Sequence, residues 1–395
     1  MASKCENEKI PTQQKGAFFS FIKSIATFKG DLSSLTAPPF LLSPQSVTEY
    51  SAYWAEHPTL FVAPTHEDDA QKRVLSVLKW FLSTLKQQHN NKDEVGKKKR
   101  MKPLNPFLGE LFLGKWVDSA GTTELLQGHI IPKVYFSGTV HIDRKGYGTM
   151  HIDKYNEDHL ITMPKVHIEG LMSASLAPEL SGTSYIRSSS GYTTKIEYYY
   201  KGWVSGKRNS FLATIFHDKH EDEPIYVAEG QWNDKYTIKE GNRQNILETV
   251  DVNTYSRTPL TVAPIQNQHH LESRRAWKPV VDAINQGDIF AVGQEKSKIE
   301  NEQREMRKQE KREGKEFPRR YFSLAKEDPV GERLAEGLKN TSMKGAMDAH
   351  HMIWLWDEEK YQQIQDNRKK GIKSPVHSRF DSAISMGMDS TGSSA

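Results

Sequence analysis

The spacing of apolar residues changes rhythm twice along this chain. It is helical up to about residue 88, strand-like from about 104 to 262, and helical again to about 315. Phe18, Phe21, Ile22, Ile25 and Phe28 recur at helical spacing, opposite Ser20, Lys23, Ser24 and Thr27. This predicts a short amphipathic helix with a mostly uncharged polar face. Gly30 and Asp31 end it, and Pro38-Pro39 force an extended path afterwards. Residues 46–57 read as helical, with Trp54 among them. The strongest helical period lies in 70–88, at Val74, Leu75, Leu78, Phe81, Leu82 and Leu85, followed by a loop over 90–99.

From Leu104 to about Val262, runs rich in aromatic and β-branched residues (133–142, 192–200, 211–216, 225–229) alternate with glycine, Asp/Asn and Ser-Gly turn signals. Many antiparallel strands in series predict a sandwich or barrel. Beyond Trp277 the chain turns helical, through Ile284 and then over 296–315. That last stretch has almost no apolar stripe, so it reads as a solvated helix or an arm over the sheet. Residues 1–15 are polar, and 362–395 are basic and then Ser/Gly-rich; both are expected to be disordered.

Composition narrows the function classes. With 36% hydrophobic residues over 395 positions, a large core is available. Lys and Arg number 54 against 50 Asp and Glu, a net +4 too small to point to nucleic acid. The basic character is local instead, at 97–100 and 304–320, and suits transient attraction to anionic membrane surfaces. Cys5 is the single cysteine, which excludes an intrachain disulfide and a multi-cysteine metal site and fits a reducing cytosol. No segment reaches the roughly 18–20 apolar residues of a spanning helix. Glu6, Glu8 and Lys23 argue against a signal peptide, so a soluble cytoplasmic monomer is expected, peripheral at organelle membranes. There is no nucleophile elbow, phosphate loop or dinucleotide fingerprint. No catalytic residue, metal or cofactor is assigned, and the chain is not read as an enzyme.

The densest signal is Lys102-Pro103-Leu104-Asn105-Pro106-Phe107-Leu108-Gly109-Glu110-Leu111-Phe112-Leu113-Gly114-Lys115-Trp116. Pro103 and Pro106 fix φ and remove two donors, so its first half is neither ordinary helix nor central strand. Leu104 and Asn105 are then expected to present backbone N–H groups beside the Lys102 cation, a combination suited to an anion. Lys296, Glu300 and Arg304, at i, i+4 and i+8, share one helical face. Taken alone that triad reads as a solvated face.

The run from Lys102 to Trp116 resembles the signature of the oxysterol-binding protein family, soluble carriers of one lipid at a time. Residues Phe21 to Phe28, Gly30 to Leu35, Ala37-Pro38-Pro39-Phe40, Tyr53 to Pro58, His167-Ile168-Glu169-Gly170, Ala228-Glu229-Gly230-Gln231-Trp232, Leu271 to Trp277 and Trp356 to Lys360 are similar to its short fungal members. The resemblance implies an α+β fold, mainly β: a large antiparallel β-barrel around a lipid tunnel. It implies a lipid-binding domain over 16–361, with a helical lid (16–36), a helical region leading to the barrel (37–100), the barrel (101–262) and a C-terminal helical subdomain (263–361). It also implies a sterol ligand, in many members exchanged for phosphatidylinositol 4-phosphate. Phe18, Phe21, Ile25, Leu32 and Leu35 would close the lid, and Trp54 and Gln88 would line the sterol end. Lys102 with the Leu104 and Asn105 backbone would hold one side of the phosphoinositide headgroup, and Lys296, Glu300 and Arg304 the other.

The family's second signature, a histidine pair before Pro-Pro, is missing. Either residues 124–131 are a degraded copy that keeps His129, or the run is deleted between Thr123 and Leu126, with about two strands' worth of chain. A skipped exon would look the same. His269-His270 and His350-His351 do not precede Pro-Pro and read as ordinary polar residues. The expected function is lipid binding and transfer with weakened phosphoinositide capture. The alternative is a transfer-defective, lipid-sensing adaptor or scaffold with an incomplete barrel.

Overall fold

The computed structural model describes residues 8–9, 15–27, 37–38, 41–88, 102–127, 133–136, 140–143, 147–169, 175–199, 207–241, 245–314, 321–325, 327–339, 341 and 353–369. The chain divides into two compact units, residues 1–316 with 329–350, and residues 317–328 with 351–395.

In the larger unit, a short strand β1 (Glu8–Lys9) precedes helix α1 (Lys15–Thr27), so part of the span expected to be disordered pairs with the sheet. The rest of 1–15 lies outside the described residues, apart from Lys15. Strand β2 (Leu42–Ser46) leads into α2 (Val47–Tyr50), where the Ser46 hydroxyl accepts the Thr48 N–H. A 3-10 turn over Ser51–Trp54 and α3 (Pro58–Val62) follow, then α4 (Ala70–Gln88). Next come β3 (Lys102–Leu104), β4 (Phe112–Asp118), β5 (Gly121–Gln127), β6 (Lys133–Phe136), β7 (Val140–Asp143), β8 (Tyr147–Ile152), β9 (Glu157–Thr162) and β10 (Lys165–Glu169). The longest strand, β11 (Ser175–Ser188), is followed by β12 (Tyr192–Tyr199), β13 (Ser210–His217), β14 (His220–Gln231), β15 (Lys235–Glu240) and β16 (Ile246–Asp251). Helices α5 (Ser273–Ala276), α6 (Lys278–Gln286), α7 (Ile289–Glu313) and α8 (Pro329–Glu336) complete this unit.

Twelve strands form one sheet along β16-β15-β14-β13-β12-β11-β10-β7-β6, with β9 on β11, β8 on β9 and β1 on β11. Its named pairs are antiparallel; the parallel pair is β2 with β3, outside this sheet. Gly182 takes φ +75 inside β11, near where the strand's neighbour changes from β10 to β9. The β4–β5 hairpin stands apart, tied to the chain after β16 by reciprocal Lys115 and Thr261 backbone bonds of 3.0 and 2.8 Å.

The sheet's inward residues make one core with α4. Val74, Val77, Leu78, Phe81, Leu82 and Leu85 pack with Ile161, Ile186, Ile196, Ile215, Tyr236 and Ile238. Their spacing on α4 is the helical period read in the sequence. A buried polar group pins the start of α4 to β9. Arg73 Nε and Nη2 donate to Glu157 Oε2 at 2.9 and 2.6 Å, and the Ser188 hydroxyl donates to Oε1 at 2.9 Å. Burial alone would push the Glu157 carboxyl up. The His159 ring 3.0 Å away and the Arg73 guanidinium outweigh it and hold the pKa at about 2. On the outer side, Leu334 and Leu338 cover Leu160 and Tyr185.

Gly230 of β14 has φ +148, and a Cβ there would lie 2.5 Å from the Lys235 carbonyl oxygen and 2.6 Å from Tyr236 Cα. Both obstacles are backbone of the neighbouring strand, so they cannot swing aside. Gly230→Ala is expected to cost about 2 kcal/mol in urea denaturation. A variant that matches the wild type would show that β14 and β15 part more easily than their register implies.

In the smaller unit, β17 (Phe322–Ala325) pairs antiparallel with β18 (Ile353–Trp356), and α9 (Glu358–Lys369) follows. Asp357 Oδ1 accepts the Lys360 N–H at 2.9 Å at the start of α9, and Tyr321 packs edge-on against Tyr361. Helix α9 therefore runs to Lys369, into the span expected as a tail; 370–395 lie outside the described residues. The span expected as one C-terminal helical subdomain is divided between the two units.

Candidate functional site

The proline-rich run begins as β3, parallel to β2, with Lys102 in register with Leu42 and Leu104 with Ser46. The Leu104 side chain is buried. The turn beyond Pro106 is closed by Glu110 in both directions. The Glu110 N–H donates to the Phe107 carbonyl at 3.1 Å, and Glu110 Oε2 accepts the Phe107 N–H at 3.1 Å. The same carboxylate accepts from the Ser273 hydroxyl at 2.7 Å and the Trp277 indole N–H at 3.1 Å. Leu111 and Ser273 continue this seam through backbone bonds of Leu111 N to Leu271 O (2.9 Å) and Ser273 N to Leu111 O (2.8 Å). Burial pushes the Glu110 carboxyl up, while the donors from Ser46, Ser273, Phe107 and Trp277 pull it back. Glu110 thus ties the run at 102–111 to the helical start at 271–277.

Helix α7 supplies the facing wall. Asp288 Oδ1 caps it by accepting the Ala291 N–H at 2.9 Å. Two turns beyond Lys296, Gln303 Oε1 accepts the Leu108 N–H at 2.8 Å and fixes the helix to the proline-rich turn. Lys296 is 6% exposed, and its ammonium lies 3.0 Å from Glu300 Oε1. Lys102 Nζ donates to Asn105 Oδ1 at 3.2 Å. The Lys102 ammonium is pushed down to about 8, first by burial and then by the Lys296 charge, with Glu300 opposing. Lys102 and the Lys296/Glu300 face, far apart in sequence, therefore share one electrostatic cluster. Arg304 extends it to solvent, 3.6 Å from Glu300 and bonded to Asn301 at 2.7 Å.

The other residues singled out in the sequence occupy separate places. Half-buried Trp54 ends the 3-10 turn; its carbonyl accepts the Trp80 indole N–H at 3.2 Å, and its ring lies 5.4 Å from Trp80 and 6.2 Å from Phe81. Gln88 is the last residue of α4, and its side chain lies outside the description. On α1, Phe18 and Ile25 are buried and Phe21 is half-buried, while Ser24 and Thr27 bond back to the helix's own carbonyls. Leu32, Leu35, His129 and the His350-His351 pair lie outside the described residues. His269 and His270 stack at 4.1 Å, and the His269 N–H donates to Glu272. Glu110 and Gln303 were not picked out by the sequence. Gln303 could have been, since i+7 from Lys296 puts it on the same helical face.

A family model described as "Oxysterol-binding protein" matches residues 18–126 and 121–283. The chain belongs to the oxysterol-binding protein family. Protein kes1 of Schizosaccharomyces pombe, another relative, is 42% identical over 369 residues, 86% of this chain and 95% of kes1. The probable transporter efuK of Hormonema carpetanum is 40% identical over 370 residues; the match takes in 86% of this chain but 52% of that protein, about half its length. Among solved structures, the Osh1 ORD domain in complex with ergosterol aligns at a TM-score of 0.62 and 17% identity, over 92% of this chain and 91% of that one. The Osh3 ORD in complex with PI(4)P from Saccharomyces cerevisiae aligns at 0.58 and 16%, over 91% and 94%. These likenesses show the fold, an antiparallel β-barrel with helices, which is the class expected from the sequence of this oxysterol-binding protein family member.

Proposed function

We propose that this chain binds a membrane lipid, a sterol, in an apolar tunnel and carries it between membranes, without chemical change to the lipid. The observation that carries the reading is the convergence of Lys102, Asn105, Lys296 and Glu300 at the family's signature turn. Lys102, Lys296 and Glu300 share one buried or half-buried electrostatic cluster beside Arg304, a concentration of positive charge suited to an anion. A phosphorylated headgroup would supply one. Phe18, Phe21 and Ile25 of α1, with Leu32 and Leu35, are proposed as the lid, each buried side chain contributing ~1.5–3 kcal/mol to closure. Trp54 and Gln88 are proposed at the sterol end. The protein is proposed to work in the cytoplasm, visiting anionic membrane surfaces.

The missing histidine run weakens the headgroup seat in this reading. The family match breaks at 121–126, where a deletion between Thr123 and Leu126 was read, and that point falls inside β5. Among the described residues β5 pairs with β4 alone and β6 with β7 alone. Two strand edges thus lie where the absent segment would join, which supports deletion over a degraded copy. A buried phosphate short of donors is costly, so phosphoinositide capture should suffer more than sterol capture.

Liposomes carrying a fluorescent sterol or labelled phosphatidylinositol 4-phosphate test this directly. Sterol is expected to be extracted, and the phosphoinositide at least roughly tenfold less well. If neither lipid leaves the liposomes, the carrier reading gives way to a scaffold.

A further inference from the structure

The smaller unit is thinly held, and several of its contacts meet at one carboxylate. A two-stranded pair such as β17 with β18 is marginal on its own. Tyr361 and Ile364 are the large apolar residues of α9, too few to bury a stripe. Asp357 anchors the start of that helix. Its Oδ1 accepts the Lys360 N–H, its own N–H donates to the Tyr321 carbonyl at 3.1 Å, and its Oδ2 accepts the Ser323 hydroxyl. The Ser323 hydroxyl and then the Lys360 N–H hold the Asp357 carboxyl below its ordinary value, so it is charged at neutral pH.

Ser323 itself is exposed on β17. In the sequence Arg319 and Arg320 precede it by four and three positions, and Leu324 follows. Basic residues before an accessible serine, with an apolar residue after it, suit the acidic groove of a basic-directed protein kinase. Lys207 and Arg208 precede Ser210 in a similar way. There Asn209 is 8% and Phe211 2% exposed, so that turn cannot enter a kinase cleft without opening the core.

We propose that Ser323 is a phosphorylation site, and that its phosphate uncaps α9. In the transfer a base of the kinase takes the hydroxyl proton, Ser323 Oγ bonds to the γ-phosphorus of ATP, and ADP leaves with the electrons of the broken bond. The product lacks the O–H that Asp357 accepted and sets a charge of about −1.5 to −2 beside that carboxylate. Lys360 supplies a cation at this place, its ammonium donating to the Phe322 carbonyl at 3.1 Å. One positive charge does not balance both anions. Asp357 then turns away and gives up the Lys360 N–H, which leaves the first turn of α9 without its cap.

The test uses the full chain, ATP and calmodulin-dependent protein kinase with Ca²⁺ and calmodulin, a kinase that reads an arginine three residues before its serine. Mass spectrometry is expected to find phosphate on Ser323, and none on the same peptide of Ser323→Ala. Trypsin should cut after Lys360 roughly fivefold faster in the phosphorylated protein, because an uncapped helix start opens more often. Ser323→Glu should speed the same cut without any kinase. Asp357→Asn keeps an acceptor for the Lys360 N–H but not the charge, so in that variant the phosphate should leave the cut unchanged. No phosphate on Ser323, or phosphate on Ser210 instead, would overturn the proposal. So would an unchanged or slower cut, the mark of a phosphate that caps α9 itself. A cut speeded equally in Asp357→Asn would overturn it too, since bulk rather than charge would then be the cause.

Discussion

Replacing Lys102 with methionine is expected to make the protein more stable and, at the same time, a roughly 10–100-fold poorer binder of anionic headgroups. The two effects share one cause. Lys102 holds its proton less tightly in the fold than in the unfolded chain, where its pKa returns from about 8 to 10.5. Below pH 8 both states carry the charge, and the folded state bears the full cost of burying it beside Lys296. Between 8 and 10.5 the folded chain sheds the proton first, and the cost fades as pH rises. Methionine keeps the length and apolar contacts of the side chain without the charge. Allowing for partial solvent contact, the gain at pH 7 should be about 2–3 kcal/mol in urea denaturation, shrinking across that window. An anionic headgroup beside Lys102 favours its protonated form by adding a negative charge to that of Glu300. Headgroup binding by the wild type should therefore weaken above about pH 8. Equal stability of the two proteins at pH 7 would mean that Lys102 is already neutralised in the empty protein.

The parts of this fold that bury one face of a regular element were legible in the sequence. The α4 stripe is an example, because Leu78, Phe81, Leu82 and Leu85 must all face one core. Elements whose existence depends on a partner were not. Residues 225–229 read as a strand, yet β14 starts at His220, which pairs with His217 of β13 while the exposed Glu221, Asp222 and Glu223 fall in a register irregularity before Pro224 pairs with Phe216. The run over 133–142 is two antiparallel strands, β6 and β7, because the chain reverses within it. Helix α7 begins at Ile289, not near 296, since Asp288 caps it while Ile289 and Phe290 project into solvent and add nothing to an apolar stripe. At the site, the charged residues were visible through the family resemblance and their helical spacing. Glu110's anchoring role was not, because a side chain that accepts from a backbone N–H leaves no periodic trace; Gln303 went unnoticed although its i+7 spacing from Lys296 marks the same helical face.

Glu110→Ala should be the most damaging single change at the site, costing about 3–5 kcal/mol by urea denaturation. The substitution leaves the Phe107 N–H and the Trp277 indole N–H without their acceptor in a buried place, and the Ser273 hydroxyl with the Leu111 carbonyl alone at 3.1 Å. Leu108 lies on that turn and Lys102 on β3, the strand that leads into it, so loss of the anchor also frees the side that faces α7. Both lipids should then be extracted poorly. Glu110→Gln separates the hydrogen bonds from the charge. Its carbonyl can still accept from Phe107 and Trp277, and its amide can donate to the Ser273 oxygen once that hydroxyl turns. Burial raises the Glu110 pKa, so ionisation works against the fold. This group favours the folded state most below the unfolded carboxyl value, and that advantage is lost as pH rises through the folded value. The glutamine variant does not titrate. Its deficit against the wild type should be largest in acid and shrink to about 1 kcal/mol or less near neutral pH. An alanine variant within 1 kcal/mol of the wild type at pH 7 would show that the turn holds without Glu110, and that its three donors find other acceptors.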